Sequence, residues 1–137
     1  KDVNERGLRM ILNFGHTFAH AIEAQNKFSS SLTHGEAVLA GMILETKLSI
    51  LNKICSPLAL QELKHIYKKN NLSYTFEKIS SRKSIVRLLP FLKNDKKNND
   101  DKINFILLKS IGRTTLPNKQ KISLNKIKKI STFIAQC

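Results

Sequence analysis

Cysteine is scarce in this sequence, which has only two. Cys55 and Cys137 lie far apart and make no CxxC motif, so a disulfide-stapled scaffold is excluded. A reducing, cytoplasmic setting is therefore expected. The sequence also lacks any apolar run near the roughly 18 residues that a membrane-spanning helix needs. Neither an internal repeat nor a low-complexity tract is present.

The chain of 137 residues also lacks an initiating methionine. It begins at Lys1 on a charged stretch that has no apolar signal-peptide core. We therefore expect a fragment of a longer protein, with the preceding part upstream. Apolar residues make up 41% and charged residues 25%, which is the composition of an ordinary globular domain. Wholesale disorder is excluded, and the length allows one domain or one piece of a larger protein.

Acidic residues are few, and the resulting positive charge is unevenly distributed. Ten Asp and Glu face 24 Lys and Arg, for a net charge of +14. Residues 1–60 carry 6 basic and 5 acidic side chains, whereas residues 61–137 carry 18 and 5. Lysine outnumbers arginine by 19 to 5, although base-reading surfaces favour arginine and aromatic side chains. The lysine-rich composition thus argues against nucleic acid as the partner. The same positive charge would also attract phosphorylated small molecules.

Hydrophobic periodicity predicts a mainly helical fold. Helices are predicted over 6–14, over 16–25, from about Thr33 to Asn52, from Ser56 to about Asn70, over 81–92 and from Ser123 to the C-terminus. Gly15 would break or bend the first pair of helices. Thr33 and Glu36 fit a capping box, and Ser56 followed by proline fits a helix start.

A small strand pair completes the predicted fold. The apolar run 103–108 and the segment 111–114 would form a hairpin. Ala37, Ala40 and Gly41 are small residues in a long apolar helix, so a neighbouring segment could approach it closely.

Three of the four histidines fall within nineteen residues, which suggests a metal site. His16 and His20 are four residues apart on a predicted helix, so their rings project from nearly the same face. His34 lies at the first helical position after a polar loop. Two histidines from separate elements and one carboxylate form a common zinc site with an open position for substrate. The sequence lacks the glutamate of an HExxH motif, which distinguishes it from zinc proteases.

Several neighbouring polar residues admit two interpretations each. Glu23 lies on the His16 face and is an alternative carboxylate ligand, but we interpret it as a solvated helix residue. Glu36 is better explained by the capping box. Arg9 and Asn13 are four apart and suit a substrate with a carboxylate or phosphate. The less favoured alternative is a surface arginine and a helix C-capping asparagine.

These motifs closely resemble those of the 3-dehydroquinate synthase family. The resemblance rests on the segments 4–9, 12–23, 34–38 and 41–42, and more weakly on 95–97 and 105–112. It implies a C-terminal helical metal-binding domain with a small β-hairpin, of which residues 1–137 would be part. The NAD-binding domain of such an enzyme would lie upstream of Lys1. Ala19 departs from the family pattern, where glycine is usual.

The resemblance also implies roles for the metal-binding and catalytic residues. His16 and His34 match the two histidine ligands of a catalytic zinc or cobalt ion, and the third ligand would be a glutamate upstream of Lys1. His20 matches a histidine near the transferring phosphate that takes part in proton transfer. Glu5 matches a glutamate near that histidine.

Substrate contacts are implied for three further residues. Arg9, Asn13 and Lys96 match residues that bind the substrate, and Lys97 remains an alternative to Lys96. The implied enzyme is a homodimeric lyase of the shikimate pathway. It converts 3-deoxy-D-arabino-heptulosonate 7-phosphate to 3-dehydroquinate and phosphate with transient oxidation by NAD. This chain alone is expected to be inactive.

Three rival functions stay open at this point. The chain could belong to another sugar-phosphate cyclase or to a metal-dependent polyol dehydrogenase, which would form NADH in net amounts. A small basic nucleic-acid-binding protein is the non-enzyme alternative, and it would show salt-sensitive binding.

Overall fold

The computed structural model describes five helices and four short strands, within residues 14–27, 32–72, 82–93, 102–116 and 120–135. The helices are α1 (His16–Gln25), α2 (His34–Leu51), α3 (Pro57–Lys69), α4 (Arg82–Lys93) and α5 (Leu124–Ala135). The predicted mainly helical class is confirmed. In the part of the chain so described, no helix is both long and apolar enough to cross a bilayer. Nearly all of the predicted helix over 6–14 lies outside the described residues.

The start of α2 is fixed by the capping box that the sequence predicts. The Thr33 hydroxyl accepts a hydrogen bond from the Glu36 backbone N–H at 3.1 Å, and Glu36 Oε1 accepts from the Thr33 backbone N–H at 3.0 Å. Two otherwise unpaired backbone donors are thereby satisfied. The cap makes His34 the first residue of the helix.

Two other helix starts are also confirmed. The Ser56 hydroxyl accepts from the backbone N–H of Leu58 at 3.1 Å, and Pro57 is the first residue of α3. The Ser123 hydroxyl accepts from the backbone N–H of Lys126 at 3.1 Å in the first turn of α5. Each serine replaces a hydrogen bond that the first helical turn cannot make internally.

Helices α1 and α2 approach so closely that their contact needs two glycines. Gly15 precedes α1 with φ of +86°, a left-handed conformation that side chains disfavour. A Cβ on Gly41 of α2 would collide with the Gly15 carbonyl oxygen and lie 3.0 Å from the Ala19 backbone nitrogen. The predicted close approach at Gly41 is thus confirmed, and the methyl group of Ala19 fits fully buried in this contact.

A continuous apolar core joins the helices to the strands. Side chains that are fully or almost fully buried come from every helix and from the first strand region, among them Phe18, Ile22, Leu44, Leu63, Leu88, Phe105 and Ile127. The rings of Phe18 and Phe105 lie 5.7 Å apart between centroids. The core face of α1 is therefore its Phe18 and Ile22 side, which leaves the opposite side of α1 for polar residues.

The strands form two antiparallel pairs, one of which was not predicted. A hairpin is present between β2 (Leu108–Ser110) and β3 (Arg113–Thr114), but of the predicted strand 103–108 only Leu108 belongs to it. The first part of the apolar run is a separate strand, β1 (Lys102–Phe105), which pairs with β4 (Gln120–Ser123).

The apolar run divides because its backbone changes partner at Leu107. Its N–H donates to the Thr115 hydroxyl at 2.9 Å, and its carbonyl oxygen accepts from the Thr115 N–H at 2.8 Å. Leu107 and Thr115 are both buried, so these bonds hold the chain between the two strand pairs.

Replacing Gly41 with alanine should destabilise the protein, because the new methyl group would overlap the backbone at Gly15. Overpacking of this kind costs about 1–3 kcal/mol in the free energy of unfolding. Urea unfolding monitored by circular dichroism measures the change.

Gly35→Ala is the matched control in the same helix. A Cβ there meets only the Thr33 hydroxyl, at 4.0 Å. Since alanine favours helix over glycine, the control should leave stability unchanged or raise it by up to about 1 kcal/mol. Equal effects of the two substitutions would contradict a close α1–α2 contact.

Candidate functional site

Three imidazole rings meet where α1 begins beside the start of α2. The centroid of the His16 ring lies 5.6 Å from that of His20 and 5.6 Å from that of His34. His20 and His34 are 6.5 Å apart. The helical spacing and the capped start of α2 therefore bring together all three histidines singled out in the sequence.

His16 is half-buried at the first position of α1. Its Nδ1 lies 3.4 Å from the Phe14 carbonyl oxygen, across the left-handed Gly15. A carbonyl oxygen only accepts, so this contact favours a proton on Nδ1, and in the neutral ring the lone pair of Nε2 is then available.

His34 is held by Glu23, contrary to the expectation that Glu23 is a solvated helix residue. The Glu23 side chain is only 15% exposed, and its Oε2 lies 3.0 Å from Nδ1 of His34. This expectation was wrong because the capped start of α2 carries His34 back over the last turns of α1. A carboxylate on Nδ1 also leaves Nε2 of His34 free to bind a ligand.

His20, on α1, is exposed to solvent, whereas His16 on the same helix is half-buried. The His20 ring is nearly parallel to that of His34, with 24° between the planes. An exposed imidazole beside two others is accessible to a bound molecule and able to exchange protons with it.

The two rings of His16 and His34 fit the requirements of a shared divalent ion. Metal–nitrogen bonds of about 2.0–2.1 Å in tetrahedral geometry put two imidazole centroids roughly 5 Å apart. The observed 5.6 Å is close to this spacing. Among the described residues, however, no group of three or more His, Cys, Asp or Glu forms a metal site. An ion bound here would need a further ligand from outside them.

A buried carboxyl group on α2 fixes the start of α1. Glu45 is fully buried, and its two oxygens accept from the backbone N–H groups of Gly15 at 2.9 Å and Phe18 at 3.1 Å. Gly15 has no side chain to cap α1, so Glu45 supplies the cap from the neighbouring helix. Burial raises the pKa of Glu45 from 4.5 to about 8, against the opposing effect of the Phe18, Gly15 and Thr17 backbone N–H groups.

Five predicted site residues fall outside the part of the chain that the structure describes. They are Glu5, Arg9, Asn13, Lys96 and its alternative Lys97. Their expected catalytic and substrate-binding roles stay predictions.

Two carboxylates were missed or misjudged from sequence. Glu45 carried a signal, since it is an acidic residue in the middle of a largely apolar helix, and a buried acid must find hydrogen-bond donors. Glu23 carried a weaker one, because its spacing from His16 gave the correct face of α1 but could not show where His34 would lie.

The chain matches known proteins over most of its length. The family model for the 3-dehydroquinate synthase C-terminal domain matches residues 1–98. A 3-dehydroquinate synthase of Pelagibacter ubique is 43% identical over 111 residues, which are 81% of this chain and 30% of that protein. One from Endomicrobium trichonymphae is 40% identical over 130 residues, 93% of this chain and 34% of that protein. The chain thus spans about a third of the length of these relatives.

Solved structures of another enzyme share the fold. A 2-deoxy-scyllo-inosose synthase in complex with carbaglucose-6-phosphate, NAD+ and Co2+ superposes with a TM-score of 0.71 at 22% identity. The matched region covers 97% of this chain and 37% of the inosose synthase chain. A second structure of 2-deoxy-scyllo-inosose synthase gives a TM-score of 0.72 at 23% identity, with coverage of 97% and 36%.

Replacing Glu45 should reveal how much the start of α1 depends on it. Glu45→Ala leaves two buried N–H groups without acceptors, at about 1–3 kcal/mol each, so unfolding should become easier by several kcal/mol. Glu45→Gln keeps one acceptor oxygen and should cost less.

The pH dependence of the free energy of unfolding should report the raised pKa of Glu45. Between pH 4.5 and about 8 the unfolded Glu45 is ionised while the folded one keeps its proton, so its contribution to stability falls as pH rises. The stability gap between wild type and Glu45→Gln should therefore narrow from pH 5 to pH 8 in urea unfolding. A constant gap across this range would contradict the raised pKa.

Proposed function

We base a proposed function on family membership: this chain belongs to the 3-dehydroquinate synthase family, and we propose that it forms part of an active 3-dehydroquinate synthase. The reaction would convert 3-deoxy-D-arabino-heptulosonate 7-phosphate to 3-dehydroquinate and phosphate. The enzyme would act in the shikimate pathway, in the cytoplasm and as a homodimer. The NAD-binding domain would lie upstream of Lys1, and we call that longer protein the complete polypeptide.

His16 and His34 would hold the divalent ion, zinc or cobalt, together with a glutamate that lies upstream of Lys1 in the complete polypeptide. Their Nδ1 atoms face the Phe14 carbonyl oxygen and the Glu23 carboxylate, which supports binding through Nε2. When bound, the ion would lower the energy of negative charge on substrate hydroxyl oxygens.

His20 would serve the phosphate end of the substrate. Its exposed ring next to the other two imidazoles can donate a hydrogen bond to a phosphate oxygen or carry a proton. Glu5 would act beside it, whereas Arg9, Asn13 and Lys96, or alternatively Lys97, would bind the phosphate, hydroxyl and carboxylate groups. NAD, held outside this chain, would supply the transient oxidation that makes elimination of phosphate feasible.

Beside family membership, the convergence of three imidazoles from two helices is the structural observation that supports this proposal. The direct test is to incubate the complete polypeptide with the heptulosonate phosphate, NAD and Co²⁺. Release of phosphate with formation of dehydroquinate and no net NADH is expected. Net NADH formation would instead indicate a polyol dehydrogenase.

A second candidate is a different sugar-phosphate cyclase, because the solved structures of the same fold are 2-deoxy-scyllo-inosose synthases. Identification of the carbocyclic product separates the two. Turnover of glucose 6-phosphate in place of the heptulosonate phosphate would favour the inosose synthase.

Substitutions of the three histidines should separate metal binding from proton transfer. His16→Ala or His34→Ala in the complete polypeptide should abolish metal retention, since each removes one of few ligands. His20→Ala should retain the metal and lower kcat by about 10²–10⁴-fold, the usual contribution of a general acid or base.

Two measurements check these assigned roles. Atomic emission gives the metal content of each variant after gel filtration, and steady-state kinetics give its kcat. Another histidine, His65, is exposed on α3 and provides the control, because His65→Ala should change neither quantity. Full metal retention and full activity in all three site variants would contradict the assigned roles.

A further inference from the structure

Glu23 makes a directional contact to the side chain of His34 across the gap between α1 and α2. Its Oε2 lies 3.0 Å from Nδ1 of His34. The carboxylate itself is largely shielded, whereas the His34 side chain is 59% exposed. Packing therefore restrains this imidazole weakly, and the carboxylate is well placed to set its orientation.

The chemistry of this contact fixes which nitrogen of His34 faces outward. An ionised carboxylate can only accept, so Nδ1 carries a proton, and in the neutral ring that binds metals Nε2 then keeps its lone pair. The ring centroid of His34 then lies 5.6 Å from that of His16, whose Nδ1 faces a carbonyl oxygen. Both rings thus have an oxygen on Nδ1 and a free Nε2.

We propose that Glu23 is a positioning residue for the metal ligand His34, acting through the Nδ1 hydrogen bond and not as a ligand itself. This inference rests on the proposed function, because it assumes that His34 binds the ion. Carboxylates that accept from the far nitrogen of a metal-bound histidine raise the basicity of the ring and hold its orientation. Losing such a partner typically weakens metal binding by about 10–100-fold.

The experiment measures Co²⁺ affinity of the complete polypeptide by competition with a chromophoric chelator. Glu23→Ala should raise the dissociation constant about 10–100-fold relative to wild type. Glu23→Gln should recover part of the loss, because its amide oxygen still accepts from Nδ1 but carries no charge. Glu62→Ala removes an exposed carboxylate from α3 and should leave the affinity unchanged.

Two further measurements keep the role of Glu23 distinct from a purely structural one. The melting temperature of the metal-free Glu23→Ala variant should match that of the metal-free wild type. Its Co²⁺ absorption spectrum should keep the wild-type intensity at saturation, since the same ligands remain. A parallel fall in melting temperature and affinity would overturn the proposal in favour of a structural link.

The outcomes also distinguish this inference from the function on which it rests. If His34→Ala binds Co²⁺ as tightly as wild type, His34 is not a ligand and the proposed metal site fails. If His34→Ala loses the metal but Glu23→Ala keeps wild-type affinity, only the positioning role is wrong. If Glu23→Ala loses the metal as completely as His34→Ala, with no recovery in Glu23→Gln, Glu23 is a ligand and the proposal is overturned.

Discussion

The geometry of the site depends on one buried carboxyl group that joins two helices. Glu45 of α2 accepts hydrogen bonds from the backbone N–H groups of Gly15 and Phe18 at the start of α1, where no side chain of α1 provides a cap. The close contact of Gly41 with Gly15 fixes the same point sterically. Because His16 lies directly after Gly15, these contacts determine where its ring lies relative to α2.

The rest of the site follows from the amphipathic character of α1. Phe18 and Ile22 on one side enter the core, so His16, His20 and Glu23 occupy the other side. The capping box at Thr33 and Glu36 then places the first residue of α2 over these polar groups. A rigid apolar contact on one face thereby presents a set of exposed or half-buried imidazoles on the other, which suits a site that must bind ligands and still admit substrate.

Local sequence signals were enough to predict most of the helices and the histidine cluster. The caps at Thr33, Ser56 and Ser123 depend only on residues close in sequence, and the spacing of His16 and His20 is set by helix geometry alone.

The features that could not be predicted depend on contacts between residues far apart in sequence. The pairing of β1 with β4, the Glu45 cap and the Glu23–His34 contact each join segments whose proximity is decided by tertiary packing, which periodicity does not encode.

Anomalous scattering from crystals of the complete polypeptide loaded with Co²⁺ would show directly whether His16 and His34 share one metal ion. We expect a single ion bound at about 2.0–2.1 Å by Nε2 of both His16 and His34. Glu23 should remain on Nδ1 of His34 in the same map. An ion that binds through Nδ1, or that contacts only one of the two rings, would contradict the account.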